Sequence, residues 1–238
     1  MPAAPPNRTA LVGLQRVDLL QGLEPAELEK LSAQLTWRRI AAGERVISRD
    51  AADRSVYLVV GGRVQVGALS TGGKQVTYKE IEAGDLFGEL AAIDGRARSA
   101  DVIALEDSLL ASMTPATFRA LLLAHEAVCD RVMQRLTRSV REMTERVFEL
   151  STLGVRNRVH AELLRLARQG SIAGNEARIE PAPRHGDIAN RVSTYREQVT
   201  RELSLLASQG VIAREEHCLV VRDITLLERM VEDVRRLP

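Results

Sequence analysis

Cysteine is nearly absent from this 238-residue chain. Cys129 and Cys218 lie far apart and form no Cys-x-x-Cys pair, which argues against a metal knuckle or a disulfide framework. The four histidines, His125, His160, His185 and His217, are equally scattered, and none stands at metal-ligand spacing from another. Lysine is scarce too: three lysines stand against thirty arginines, a bias that a GC-rich genome explains without any design for phosphate contact. The net charge of +1 leaves no global electrostatic footprint, so any nucleic-acid contact must be local. No apolar run is long enough to span a bilayer, and the N-terminus lacks a charged-then-apolar leader pattern. A reducing, cytoplasmic setting without membrane partners is the expectation. What is present is a hydrophobic fraction of 45%, ordinary for a chain with a sizeable core, at a length that suits one large or two medium domains.

Residues 1–10 read as a flexible or extended lead-in. Leu11 to Leu35 is helical in pattern, with Pro25 near the first turn of a helix. From Thr36 to Met113 the period changes to two. Short strand-like runs at 36–40, 45–47, 55–60, 63–69, 76–81, 100–104 and 109–113 alternate with turns at 42–44, 61–62, 71–73, 83–85 and 94–95. That spacing predicts a β-sandwich, barrel or jelly roll. A long helix then runs from Pro115 to about Leu150. Cys129, Met133, Leu136, Val140, Met143, Val147 and Leu150 alternate steps of four and three, a heptad seam that predicts a homodimer. The charged residues between them, including Arg131, Arg135, Arg146 and Glu149, read as a solvated face. Gly154 ends this element, an amphipathic helix covers 155–169, and 170–183 is irregular with room for a short strand or two.

The stretch from Gly84 to Val102 carries chemistry that turns alone do not explain. Phe87-Gly88 ends an apolar run, Glu89 opens a short helical turn, and the chain reverses at Asp94-Gly95 into Arg98-Ser99. A glycine for close approach, helix-start amides, an arginine and a hydroxyl together suit a sugar-phosphate. Glu89 would serve a ribose hydroxyl rather than the phosphate.

A second cluster follows the domain boundary near Leu153-Gly154. Asp187–Val192 reads as a short helix, Ser193-Thr194 as a break, and Thr194-Tyr195-Arg196-Glu197 as a capping box opening a second helix to Gln209-Gly210. Val211-Ile212 and Cys218–Val221 read as the hairpin of a wing, and Asp223–Arg236 as a last amphipathic helix. The second helix presents Tyr195, Arg196, Glu197, Thr200 and Arg201 near its start, and Arg and Glu there suit base edges in a major groove. Residues 155–238 carry 14 arginines against 12 carboxylates, so the placement of charge matters more than its sum.

Together these motifs resemble the cAMP receptor protein / fumarate-nitrate reduction regulator family of bacterial transcription factors, from Leu19 to about Arg229. Phe87-Gly88-Glu89-Leu90-Ala91 and Arg98-Ser99-Ala100 match its phosphate-binding cassette, and Arg196-Glu197-Gln198-Val199-Thr200-Arg201 its recognition helix. The resemblance implies an α+β protein with three parts. These are a cyclic-nucleotide-binding β-sandwich (jelly roll) over 1–114, a central dimerisation helix over 115–153 and a winged helix-turn-helix over 154–238. It implies that Gly88 and Glu89 face the ribose, that Arg98 and Ser99 face the cyclic phosphate, and that Met143 and Thr144 face the base. Thr194, Tyr195, Arg196, Glu197, Thr200 and Arg201 would meet double-stranded DNA at a site similar to TGTGA. The effector would be cAMP, with cGMP left open because Met143-Thr144 stands where cAMP receptor protein has Thr-Ser. Ser139 stands where that protein braces the ribose-binding Glu with Arg. RNA polymerase is a further implied partner. No nucleophile–base pair or nucleotide-hydrolysing motif suggests an enzyme, and no metal or cofactor beyond the effector is expected. A nucleotide-regulated interaction module without specific DNA binding, or a member that no longer needs ligand, stays open.

Overall fold

The computed structural model describes residues 8–69 and 75–235. The expected turn at 71–73, positions 1–7 of the lead-in and Arg236 lie outside the described residues. Two compact units divide the chain, Met1–Arg138 and Ser139–Pro238.

In the first unit, α1 (Arg8–Gln15) and α2 (Pro25–Ser32) replace the single helical pattern of 11–35. A 3-10 turn at Asp18–Leu20 and Gly22 at φ +83° separate them, a conformation that glycine adopts without a Cβ penalty. Strands β1 (Thr36–Ile40), β2 (Arg45–Ile47), β3 (Val56–Gly61), β4 (Arg63–Leu69), β5 (Gln75–Glu82), β6 (Leu86–Phe87), β7 (Asp101–Ala104) and β8 (Ser108–Met113) follow. They form two antiparallel four-stranded sheets, ordered β1-β8-β3-β6 and β2-β7-β4-β5. Of the architectures that fit the period, the sandwich is the one formed. Tyr57, Val59, Phe87, Val102 and Leu110 belong to the core between the sheets. Val56 and Leu58, from the alternate positions of β3, pack in a second core with Leu14, Phe118 and Val128 of the helices. Burial on both faces is why β3 reads as an unbroken apolar run rather than an alternation.

The helix expected over 115–150 is two helices, α4 (Pro115–Ala124) and α5 (Glu126–Thr152). His125 breaks it with an extended backbone (φ −134°, ψ 99°), and its carbonyl accepts from the amides of Val128 and Cys129 to start α5. The charged side of α5 is not uniformly solvated, contrary to the sequence expectation. Arg131 donates to the Leu19 carbonyl at 3.2 Å, and Arg135 pairs with Asp85 and reaches the Leu86 carbonyl at 2.5 Å. Glu149 is buried and accepts twice from Arg165 at 3.2 Å. These long arginines use α5 to fasten neighbouring backbone, which the heptad pattern does not report.

The second unit contains α6 (Val155–Gln169), β9 (Ser171–Ala173), β10 (Glu176–Ile179), α7 (His185–Arg191), α8 (Arg196–Ser208), β11 (Ile212–Arg214), β12 (Leu219–Val221) and α9 (Ile224–Arg235). The expected wing is one side of a four-stranded sheet, ordered β11-β12-β10-β9. Val159, Leu163, Ile188, Val199, Leu206 and Leu227 fill its core. Ala189 is buried where α7 meets α8, and Ser193 turns the chain between them at φ +55°. His160 of α6 lies 2.5 Å from Glu202 of α8, and both are buried.

Candidate functional site

The cassette is built on β3. Antiparallel pairing sets Tyr57 opposite Phe87, and their rings stack with centroids 5.0 Å apart. That register ends β6 at Gly88, which turns the chain into α3 (Glu89–Asp94) at φ +86°, and Gly95 closes the helix at φ +73°. Gly88 is required for space as well as conformation. A Cβ there would lie 2.6 Å from Nη1 of Arg98 and 2.8 Å from the Ser55 carbonyl oxygen.

Arg98 is the most constrained side chain of the cassette, only 2% exposed. Nη1 donates to the Gly88 carbonyl at 2.9 Å, Nη2 to the Ser55 carbonyl at 2.6 Å, and Nη2 also pairs with Asp53. Its guanidinium carbon lies 5.8 Å from the centre of the Tyr57 ring. The loop before β3 grips the Arg98 backbone, with the amide donating to Ala51 at 3.1 Å and the carbonyl accepting from Asp50 at 3.0 Å. Burial alone would raise the Asp53 carboxyl, but hydrogen bonds from Arg98 and Ser55 outweigh it and hold the group below the ordinary carboxylate range. Nε of Arg98 is buried without a hydrogen-bond partner. Glu89 is buried as well, 7% exposed, and no hydrogen bond or ion pair among the described residues reaches its carboxylate.

Of the sequence-predicted residues, Phe87, Gly88, Glu89, Ala91 and Arg98 come together here. Leu90 and Ser99 lie on the exposed side. Met143 and Thr144 belong to the part of α5 in the second unit; Met143 is exposed, and the Thr144 hydroxyl donates to the Val140 carbonyl at 2.9 Å. Sequence reasoning missed Asp53, Ser55 and Tyr57, which share the Arg98 guanidinium. The one trace they leave is the short polar Asp53-Arg54-Ser55 segment, where Asp53 accepts from the Ser55 amide and hydroxyl.

In the second unit, α8 begins one residue later than the capping box predicts. Tyr195 holds the N-cap position with no side-chain cap bond, while Thr194 is buried and gives its hydroxyl to the Gln198 side chain. The Thr-x-x-Glu spacing is present, but the Thr194 hydroxyl is engaged by the Gln198 side chain and caps no helix-start amide. Arg196, Glu197, Thr200 and Arg201 are exposed and line one shallow hollow of about 330 Å³, with exposed Tyr195 next to Arg196 in the chain.

A β-sandwich with a helix-opening glycine cassette, followed by a winged helix-turn-helix, defines a two-domain regulator architecture. Residues 37–125 match the family described as cyclic nucleotide-binding domain, and residues 157–230 the Crp-like helix-turn-helix domain. The chain is 32% identical to the cyclic AMP receptor protein of Thermus thermophilus, over 89% of its own length and 95% of the relative's. It belongs to the Crp/Fnr family of transcription regulators. The same fold occurs in CooA of Carboxydothermus hydrogenoformans, with TM-score 0.79 and 20% identity over 90% of this chain and 94% of that one. It also occurs in the c-di-GMP responsive regulator CLP of Xanthomonas campestris, with TM-score 0.69 and 18% identity over 83% and 99%. No described helix is long and apolar enough to cross a membrane.

Proposed function

We propose that the chain is a cAMP-responsive regulator that binds a pseudo-palindromic DNA site as a homodimer. One observation carries the effector reading: Glu89, only 7% exposed, keeps a carboxylate that no protein group among the described residues holds and that still reaches the surface, one residue past a left-handed glycine that touches Arg98. A carboxylate that faces outward with no protein partner is free to accept from a ligand hydroxyl, and a ribose supplies one. Arg98, already positioned by two carbonyls and Asp53, keeps its Nε–H for a phosphate oxygen. The cyclic AMP receptor protein of T. thermophilus supports cAMP over cGMP as the first ligand to test.

The exposed apolar seam supports the dimer. Met133, Val140, Met143, Val147 and Leu150 all face outward on α5, with Val140 66% and Val147 62% exposed. A stripe of that kind at heptad spacing suits a partner helix. Two recognition helices on one dimer would address half-sites about 34 Å apart, and Arg196, Glu197 and Arg201 would read bases there.

Calorimetric titration of the full chain with cAMP, and separately with cGMP, tests the effector. Saturable heat with cAMP, at least tenfold weaker for Glu89→Gln, is the expected result; that factor equals about 1.4 kcal/mol, close to the lower bound of about 1.5 kcal/mol for a charged hydrogen bond. Tighter binding of cGMP would move the assignment to that nucleotide. No heat from either would remove the cassette's proposed role.

A further inference from the structure

His185 opens α7 and sits between α8 and β11. Its Nδ1 lies 2.8 Å from the Thr200 hydroxyl, and Nη1 of Arg214 lies 3.5 Å from its Nε2. The Thr200 hydroxyl itself donates to the Arg196 carbonyl at 3.0 Å. A hydroxyl has one proton, so it must accept from His185, which fixes the hydrogen on Nδ1. The neutral ring therefore turns a lone pair at Nε2 toward the outside, where Arg214 approaches at long range. Arg214 is exposed and forms no ion pair among the described residues.

The surroundings of the ring are cationic. Burial pushes the His185 imidazole down from its ordinary value, and the guanidiniums of Arg214 on β11 and Arg196 on α8 push in the same direction. The carboxylates nearest along the chain, Asp187 on α7, Glu197 on α8 and Glu215 after β11, do not offset these cations, and Glu215 is taken by Arg178. An anion placed between His185 and Arg214 would reverse that bias, because it favours the imidazolium and relieves the repulsion between the two cations. The hollow lined by Arg196, Glu197, Thr200 and Arg201 adjoins it through Thr200, which bonds the ring. With the bases met at that hollow, the flanking backbone of a bound duplex would pass beside it, at His185 and Arg214.

Resting on the DNA-binding reading above, we propose that His185 and Arg214 clamp one backbone phosphate of the bound duplex, and that His185 takes up a proton when they do so. The tautomer makes the proton necessary. With hydrogen held on Nδ1 by Thr200, an unprotonated Nε2 would set a lone pair against a phosphate oxygen. Solvent supplies one proton to Nε2. The new Nε2–H and an Arg214 N–H then donate to phosphate oxygens, while Nδ1–H keeps its bond to Thr200. One positive charge is gained beside one phosphate charge, and no bond of the chain breaks. The clamp reads no sequence; it sets the register of α8 on the duplex and makes affinity depend on pH.

The test is fluorescence anisotropy of a labelled TGTGA-type palindrome with the full chain, cAMP present and ionic strength fixed, at about pH 6, 7 and 8, around the imidazole's ordinary value. Uptake of one proton tightens binding by at most about tenfold per pH unit, and we expect roughly three- to tenfold between the two ends. His185→Gln keeps a hydrogen-bonding side chain but cannot titrate, and it loses this tightening. His217 and the other histidines remain in that variant, so any slope they cause would persist. A wild-type affinity that is flat with pH, or a slope retained by His185→Gln, overturns the clamp and leaves the DNA-binding reading standing. Absence of binding by either protein at every pH overturns both.

Discussion

Replacing Arg98 by leucine should unfold the first unit more easily as well as weaken ligand binding, and the structure sets the size of the effect. The guanidinium satisfies two backbone carbonyls, Gly88 at 2.9 Å and Ser55 at 2.6 Å, with its side chain 2% exposed. Each buried acceptor left without a donor costs about 1–3 kcal/mol. Asp53 is 48% exposed, so water replaces much of what it loses, and the broken ion pair adds less than about 1 kcal/mol. Leucine recovers part of the total, because it removes a buried charge. A net loss of roughly 2–4 kcal/mol follows from these figures. Trp37 is the one tryptophan of the chain and is 5% exposed in β1, so its emission reports this unit. Urea unfolding followed by that emission should show a midpoint lower by about 1–2 M, for a slope near 2 kcal/mol per molar. Arg98→Lys, which retains the charge but not the fork, should fall between the two. A leucine variant with its midpoint within about 0.3 M of wild type would refute the reasoning, because Arg98 would then serve ligand alone.

Two further expectations concern the rest of the chain. Val140→Glu combined with Val147→Glu places charge on the exposed seam of α5, and sedimentation should show a monomer; an intact dimer would place the interface elsewhere. Burial depresses the His160 imidazole, partly offset by its bond to Glu202, so the unfolded chain binds more protons than the folded one. Stability of the second unit is then greatest above about pH 6.5 and falls as pH drops through the depressed value. Thermal melts followed by circular dichroism should show this loss, less steep in His160→Gln; identical profiles would contradict it.

The strands of the sandwich were legible because glycine and aspartate turns punctuate them, and because burial on one or both faces leaves a period of two or an apolar run. β6 escaped notice, since two residues have no period, yet its pairing with β3 is what places Gly88. The break at His125 left no proline or glycine signal. Gly88, Glu89 and Arg98 could be read because they sit within one short stretch. Asp53 could not, because its partnership with Arg98 spans 45 positions and exists only after β3 and β6 pair. Arg135 looked like surface charge for a similar reason: a heptad pattern records which side of a helix is apolar, not how far an arginine reaches. The capping box misled by one residue because its spacing says nothing about whether Thr194 is buried.

If the nucleotide cassette controls the helix-turn-helix, DNA affinity must depend on the effector. Anisotropy of a labelled TGTGA-type palindrome, titrated at fixed salt with wild type and with Arg196→Ala, with and without cAMP, tests it most directly. Wild-type binding should tighten at least tenfold with cAMP, about 1.4 kcal/mol of coupling, and Arg196→Ala should lose its preference for the palindrome over unrelated duplex. Equal affinity with and without cAMP, or preference for the palindrome retained by Arg196→Ala, would contradict it.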